Sequence, residues 1–120
     1  MKYGLLAFLS FCVSISLSAQ STIRTGITLT TDHFAQPGVP SGTLKGPFEF
    51  HSKIITGTVR QYWIYVPAQY DASQAAAVLV FQDGYRATNP RGSIRAPQVL
   101  DNLIHQGAMP VTIGIFISPG

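Results

Sequence analysis

The sequence predicts an α/β fold in which an antiparallel hairpin is followed by a strand, a crossover helix and a second, parallel strand. Three observations predict it. Ala77-Val78-Leu79-Val80-Phe81 is a short, wholly apolar run that stops abruptly at Gln82-Asp83-Gly84, the pattern of a strand buried on both faces in the middle of a parallel sheet. Val99, Leu100, Leu103 and Ile104 recur at helical spacing before a second apolar run, Val111 to Ile117, and together with the first run these make a βαβ unit. Upstream, Thr58 to Val66 is dense in aromatic and β-branched residues. The stretch around Phe48, Phe50, Ile54 and Ile55 offers it a partner, with Thr56-Gly57 as the turn between them.

Taken in order, the chain of 120 residues begins with one basic residue, Lys2, an apolar run from Leu5 to Leu17, and small residues at Ser18 and Ala19. That is the layout of a secretory signal peptide over residues 1–19, with Gln20 as the first residue after cleavage. The apolar run is too short to span a bilayer comfortably, and no second candidate follows it. The expected location is therefore secreted or periplasmic, with no stable membrane span after cleavage. Residues 20–46 are rich in Thr, Ser, Gly and Pro, with Pro37-Gly38-Val39-Pro40 at their heart. Such a stretch suits neither a helix nor a central strand and reads as an extended lead-in over the surface. Asp32-His33 within it reads as a surface pair.

From residue 47 to 120 the pattern is that of the α/β domain. In the hairpin His51 and Arg60 are expected to point outward, and Pro67 stops the second strand. Tyr70-Asp71-Ala72-Ser73 is a turn whose Asp71 side chain can accept backbone hydrogen bonds. After the apolar run, Tyr85 to Ala96 reads as a loop. Pro97 suits the start of the helix and Gly107 its end. Asp101 and Asn102 fall between the apolar positions and are expected to face solvent or the sheet's edge, and His105 favours the macrodipole at the helix C-terminus. A hairpin and one βαβ unit leave apolar faces and strand edges uncovered, so the sequence is expected to be the front part of a larger domain, incomplete as it stands.

Charge and cysteine content narrow the function. Without Lys2, seven basic residues face five acidic ones, a balance of +2. The nearest approach to a basic cluster is Arg86, Arg91 and Arg95 in one loop, with no basic run interleaved with aromatics. Nucleic acid is not an expected partner, and a mild local bias toward anionic ligands is all that follows. The one cysteine, Cys12, lies inside the apolar leader behind Phe11, so neither lipidation, disulfides nor thiolate chemistry is expected. Three scattered histidines and five acids show none of the usual metal-ligand spacings, and no cofactor is expected.

Four motifs occur in order: Arg60-Gln61-Tyr62-Trp63-Ile64-Tyr65-Val66-Pro67, then Leu79-Val80-Phe81-Gln82-Asp83-Gly84, then Val99-Leu100-Asp101-Asn102-Leu103-Ile104, then Met109-Pro110-Val111-Thr112-Ile113-Gly114-Ile115-Phe116. Together they resemble the enterochelin-esterase-like esterases of the α/β-hydrolase fold, from about Phe48 to the end. The resemblance implies the N-terminal part of an α/β-hydrolase sheet and acyl transfer from a small-molecule or carbohydrate ester to water. A serine in a Gly-x-Ser-x-Gly turn, a histidine and an acid would do that chemistry. No Gly-x-Ser-x-Gly occurs here, and neither Gly92-Ser93 nor Ser118-Pro119-Gly120 matches it, so no nucleophile is assigned. The segment Asp83-Gly84-Tyr85-Arg86-Ala87 resembles the Asp-Gly-Leu-Arg-Ala of the related mycolyltransferases. By that likeness Tyr85 gives a backbone N–H to the oxyanion hole, Gly84 allows close approach to the substrate oxygen, and Arg86 faces the substrate mouth. The alternatives are a non-catalytic carbohydrate-binding or remnant module, and a chain that pairs with another polypeptide through its open sheet edge.

Overall fold

A computed structural model describes residues 26–119; the leader and its cleavage site lie outside the described residues. Four strands, β1 (Thr43–His51), β2 (Val59–Val66), β3 (Ala77–Gln82) and β4 (Thr112–Ile117), form one sheet in the order β1-β2-β4-β3. The β1 strand is antiparallel to β2, β2 is antiparallel to β4, and β3 runs parallel to β4. Between β3 and β4 lie a short helix, α1 (Gly84–Thr88), and a longer one, α2 (Ala96–His105). The predicted hairpin and βαβ unit are both present, and the fold is that of a partial α/β-hydrolase sheet.

Strand alternation decides which side chains meet α2. Trp63 stands opposite Phe116 and Tyr65 opposite Gly114, while Leu79 and Phe81 face the same way from β3. With Leu100 and Ile104 of α2 they form the core. Phe116 is fully buried, with its ring centroid 6.3 Å from that of Phe81, and burying a ring of that size contributes about 2–3 kcal/mol. The helix stops as the sequence predicts. Gly107 adopts φ +70, its N–H reaches the Ile104 carbonyl, and the Ala108 N–H reaches that of Leu103 at 3.0 Å, which together make a Schellman motif. The Asp71 turn is present too: Ser73 donates its N–H to Asp71 Oδ1 at 2.9 Å, and these hydrogen bonds hold the Asp71 carboxyl below its usual range.

Five expectations change. First, β1 begins at Thr43, ahead of the predicted start at residue 47. The register slips between Lys45 and Phe48, so Gly46-Pro47 sits in an irregularity of an edge strand, where a missing N–H costs no ladder bond. Second, Ile54 and Ile55 belong to the hairpin loop, 93% and 63% exposed, because Ser52 Oγ captures their backbone N–H groups. Third, among the described residues β3 lies at the edge of the sheet. Val78 and Val80 are more than half exposed, and among the described residues no helix lies over the face they share with Ile113, Ile115, Tyr62 and Phe50. Fourth, the predicted loop after β3 opens with α1.

Fifth, Asp101 and Asn102 are buried. Each is bound by a partner far away in sequence. Asp101 Oδ1 accepts the Tyr65 hydroxyl at 2.6 Å and the Gly42 N–H at 2.7 Å. Asn102 Nδ2 donates to the carbonyls of Asp32 and Phe34, both at 2.8 Å. These bonds dock the lead-in on α2. The Thr31–His33 segment is a single 3₁₀ turn, and Arg95 closes over it, with Nη1 on the His33 carbonyl and the guanidinium 4.7 Å above the Phe34 ring.

Candidate functional site

The carboxyl ends of parallel strands are where open α/β sheets bind ligands, and here β3 and β4 end side by side, Gln82 opposite Ile117. Directly after β3 the backbone turns sharply. Asp83 adopts φ 62, ψ 42, a left-handed conformation that costs an L-residue about 1–2 kcal/mol and that Asp tolerates better than most. Its carbonyl accepts the N–H groups of Arg86 and Ala87, so the strand passes into α1 without an intervening loop. Ala87 is fully buried and anchors that helix.

Gly84 explains how the turn fits. A Cβ on this residue would lie 2.6 Å from the Phe116 carbonyl carbon and 2.7 Å from the Ile117 nitrogen. The space left by the absent side chain is filled by the backbone of β4. Only glycine lets the two strand ends come so close.

The turn exposes the residues that follow it. Asp83, Tyr85 and Arg86 line a depression of about 250 Å³ together with Ser118 and Pro119. Tyr85 is 67% exposed, and its backbone N–H donates to Ser118 Oγ at 3.0 Å. The Arg86 side chain is exposed, 3.7 Å from Asp83 Oδ2, a pair weakened by water and salt. The structure thus brings Gly84, Tyr85 and Arg86 together at one sheet end.

Other singled-out residues lie elsewhere. Arg95 is bound to the Gly92 and His33 carbonyls and Arg91 is exposed, so the three arginines of this loop do not form one anion-binding cluster. His33 Nδ1 caps the Thr30 N–H at 3.1 Å. His51 is exposed beside Glu49, and His105 is exposed at the end of α2. Among the described residues no three metal-ligating side chains are clustered, and no helix is long and apolar enough to cross a membrane.

Ser118 is the site residue that sequence reasoning missed. From sequence it enters only through Ser118-Pro119-Gly120, which does not match the nucleophile motif. The rule that drew attention to the residues after β3 applies equally to the first polar residue after β4, and would have found it.

Strand order, the antiparallel lead strands and the site at the ends of β3 and β4 define the N-terminal part of an α/β-hydrolase-type sheet. Solved structures that share it include two esterases. One is a CE1 ferulic acid esterase from the anaerobic fungus Anaeromyces mucronatus in the absence of substrate, with TM-score 0.57 and 21% identity over 73% of this chain and 33% of that one. The other is a CE1 ferulic acid esterase from the same organism in complex with ferulic acid, with TM-score 0.56 and 21% identity over 73% and 32%. The chain spans about a third of the length of these structures. No family model and no curated protein matches it.

Proposed function

We propose that this chain is the N-terminal part of a secreted or periplasmic carboxylic-ester hydrolase of the serine-esterase type, close in kind to enterochelin and feruloyl esterases. The observation that carries this reading is the left-handed turn at Asp83, which puts Tyr85, its N–H held by Ser118 Oγ, on the wall of a depression at the end of β3. An ester carbonyl attacked there becomes an oxyanion, and the Tyr85 N–H is one of the two donors it needs. A single preorganised donor of this kind contributes about 3 kcal/mol to barrier lowering. Arg86, at the rim, suits a sugar hydroxyl or a carboxylate of the substrate. The nucleophile, the histidine and the acid come from chain outside these residues.

The test is hydrolysis by the whole protein to which this chain belongs. Methyl ferulate and 4-nitrophenyl acetate are expected to be cleaved, and a serine-directed organophosphonate to abolish the activity, while residues 26–119 alone are expected to cleave neither. A whole protein that binds oligosaccharide but hydrolyses no ester would favour the non-catalytic carbohydrate-binding module.

A further inference from the structure

Resting on the reading of Tyr85 as a donor to a ligand oxygen, we propose that Ser118 is a positioning residue of the same site. Its hydroxyl holds the Tyr85 N–H in place of a ligand's carbonyl or carboxylate oxygen, and is displaced when that oxygen binds. An N–H carries one proton, and here that proton is directed at Ser118 Oγ, 3.0 Å away. The contact joins residues 33 apart in sequence, the start of α1 to the end of β4, so it is not a local turn cap. The Ser118 backbone is fixed independently by its N–H on the Gln61 carbonyl at 2.9 Å. Among the described residues its Oγ has no other hydrogen bond, and both partners line the same depression.

These features make the hydroxyl removable. A serine side chain has three staggered wells at χ1 and can leave without moving the backbone. Exchanging a hydroxyl for a neutral carbonyl is close to an even trade, because both are neutral acceptors. Exchanging it for a carboxylate or an oxyanion is favourable, since charge-assisted hydrogen bonds are about twice as strong. Self-occupancy therefore weakens the binding of any ligand oxygen by the same factor, and the anionic oxygen remains the tighter ligand. In an esterase it weakens ground-state and transition-state binding alike, so its removal is read in KM and not in kcat.

The test uses the whole protein as wild type, Ser118→Ala and Ser118→Thr, with benzoate, a plain aryl carboxylate, as probe and the Tyr85 amide resonance as reporter. Without ligand the amide proton is expected to move upfield in the alanine variant and to stay near its wild-type position in the threonine variant. Benzoate is expected to bind about threefold to tenfold tighter to Ser118→Ala, the range one neutral hydrogen bond supplies, and with wild-type affinity to Ser118→Thr. With an ester substrate KM falls by a similar factor while kcat stays within about twofold. An amide unmoved by the alanine change, benzoate binding that is unchanged, weaker or undetectable at Tyr85, or a kcat loss of about tenfold or more overturns the proposal. A wild type that cleaves no ester but gives the expected amide and benzoate results sinks the esterase reading and leaves Ser118 in its role.

Discussion

Gly84→Ala is expected to lower kcat/KM of the whole protein by about 100-fold and its stability by about 2 kcal/mol. The added methyl would sit 2.6–2.8 Å from three backbone atoms of Phe116 and Ile117. Backbone in a central strand cannot rotate away, so the turn must lift off β4. Overpacking of this kind costs about 1–3 kcal/mol. The catalytic loss is larger because Tyr85, the next residue, moves with the turn, and a displacement near 1 Å of a positioning group can cost about 100-fold. Gly26→Ala, with open space around the new methyl, is the control and should leave both quantities unchanged. A Gly84→Ala protein with wild-type melting temperature and kcat/KM would show that β4 and the turn are not in the contact described.

The second large effect is expected away from the site. Asp101→Ala should destabilise the fold by about 3–5 kcal/mol in urea unfolding, because it strips the acceptor from two donors at once, the Tyr65 hydroxyl and the Gly42 N–H. Asp101→Asn keeps an acceptor oxygen and should lose less than half as much. Tyr65 adds a pH signature. Burial, and then its hydrogen bond to Asp101 and that residue's charge, hold its phenol proton well above the usual tyrosine pKa of 10.0. The folded state thus binds this proton more tightly than the unfolded state. Its contribution to stability is complete below pH 10.0 and drains away as pH climbs beyond that value. Tyr65→Phe should flatten that alkaline limb, and equal loss of stability above pH 10 in both proteins would sink the assignment.

These two residues also mark the limit of what could be read from sequence. The strands β2, β3 and β4 and the helix α2 were legible because their apolar periods are local, and Gly107 and Asp71 because their backbone chemistry is local as well. The burial of Asp101 and Asn102 was not, since their partners lie 36 to 70 residues away and a polar residue on a helix shows no sign of a distant acceptor or donor. The hairpin's first strand was misplaced because glycine and proline argue against strands in general, whereas an edge with a register slip accepts both. The site divides in the same way. Asp83 to Arg86 announced itself as a polar break after an apolar run. Ser118 stands in the equivalent place after β4, where no glycine turn marked it out, and its contact with the Tyr85 N–H belongs to the register that sets the two strand ends side by side.

The uncovered side of the sheet bears on how this polypeptide behaves in a tube. Among the described residues Val78 and Val80 stand on the free rim of β3, where unpaired main-chain groups and β-branched side chains invite a second molecule to add its own strand. Residues 26–119 made by themselves would thus tend to clump, and a lysine at each of the two valines should keep them dispersed without touching the core that faces α2.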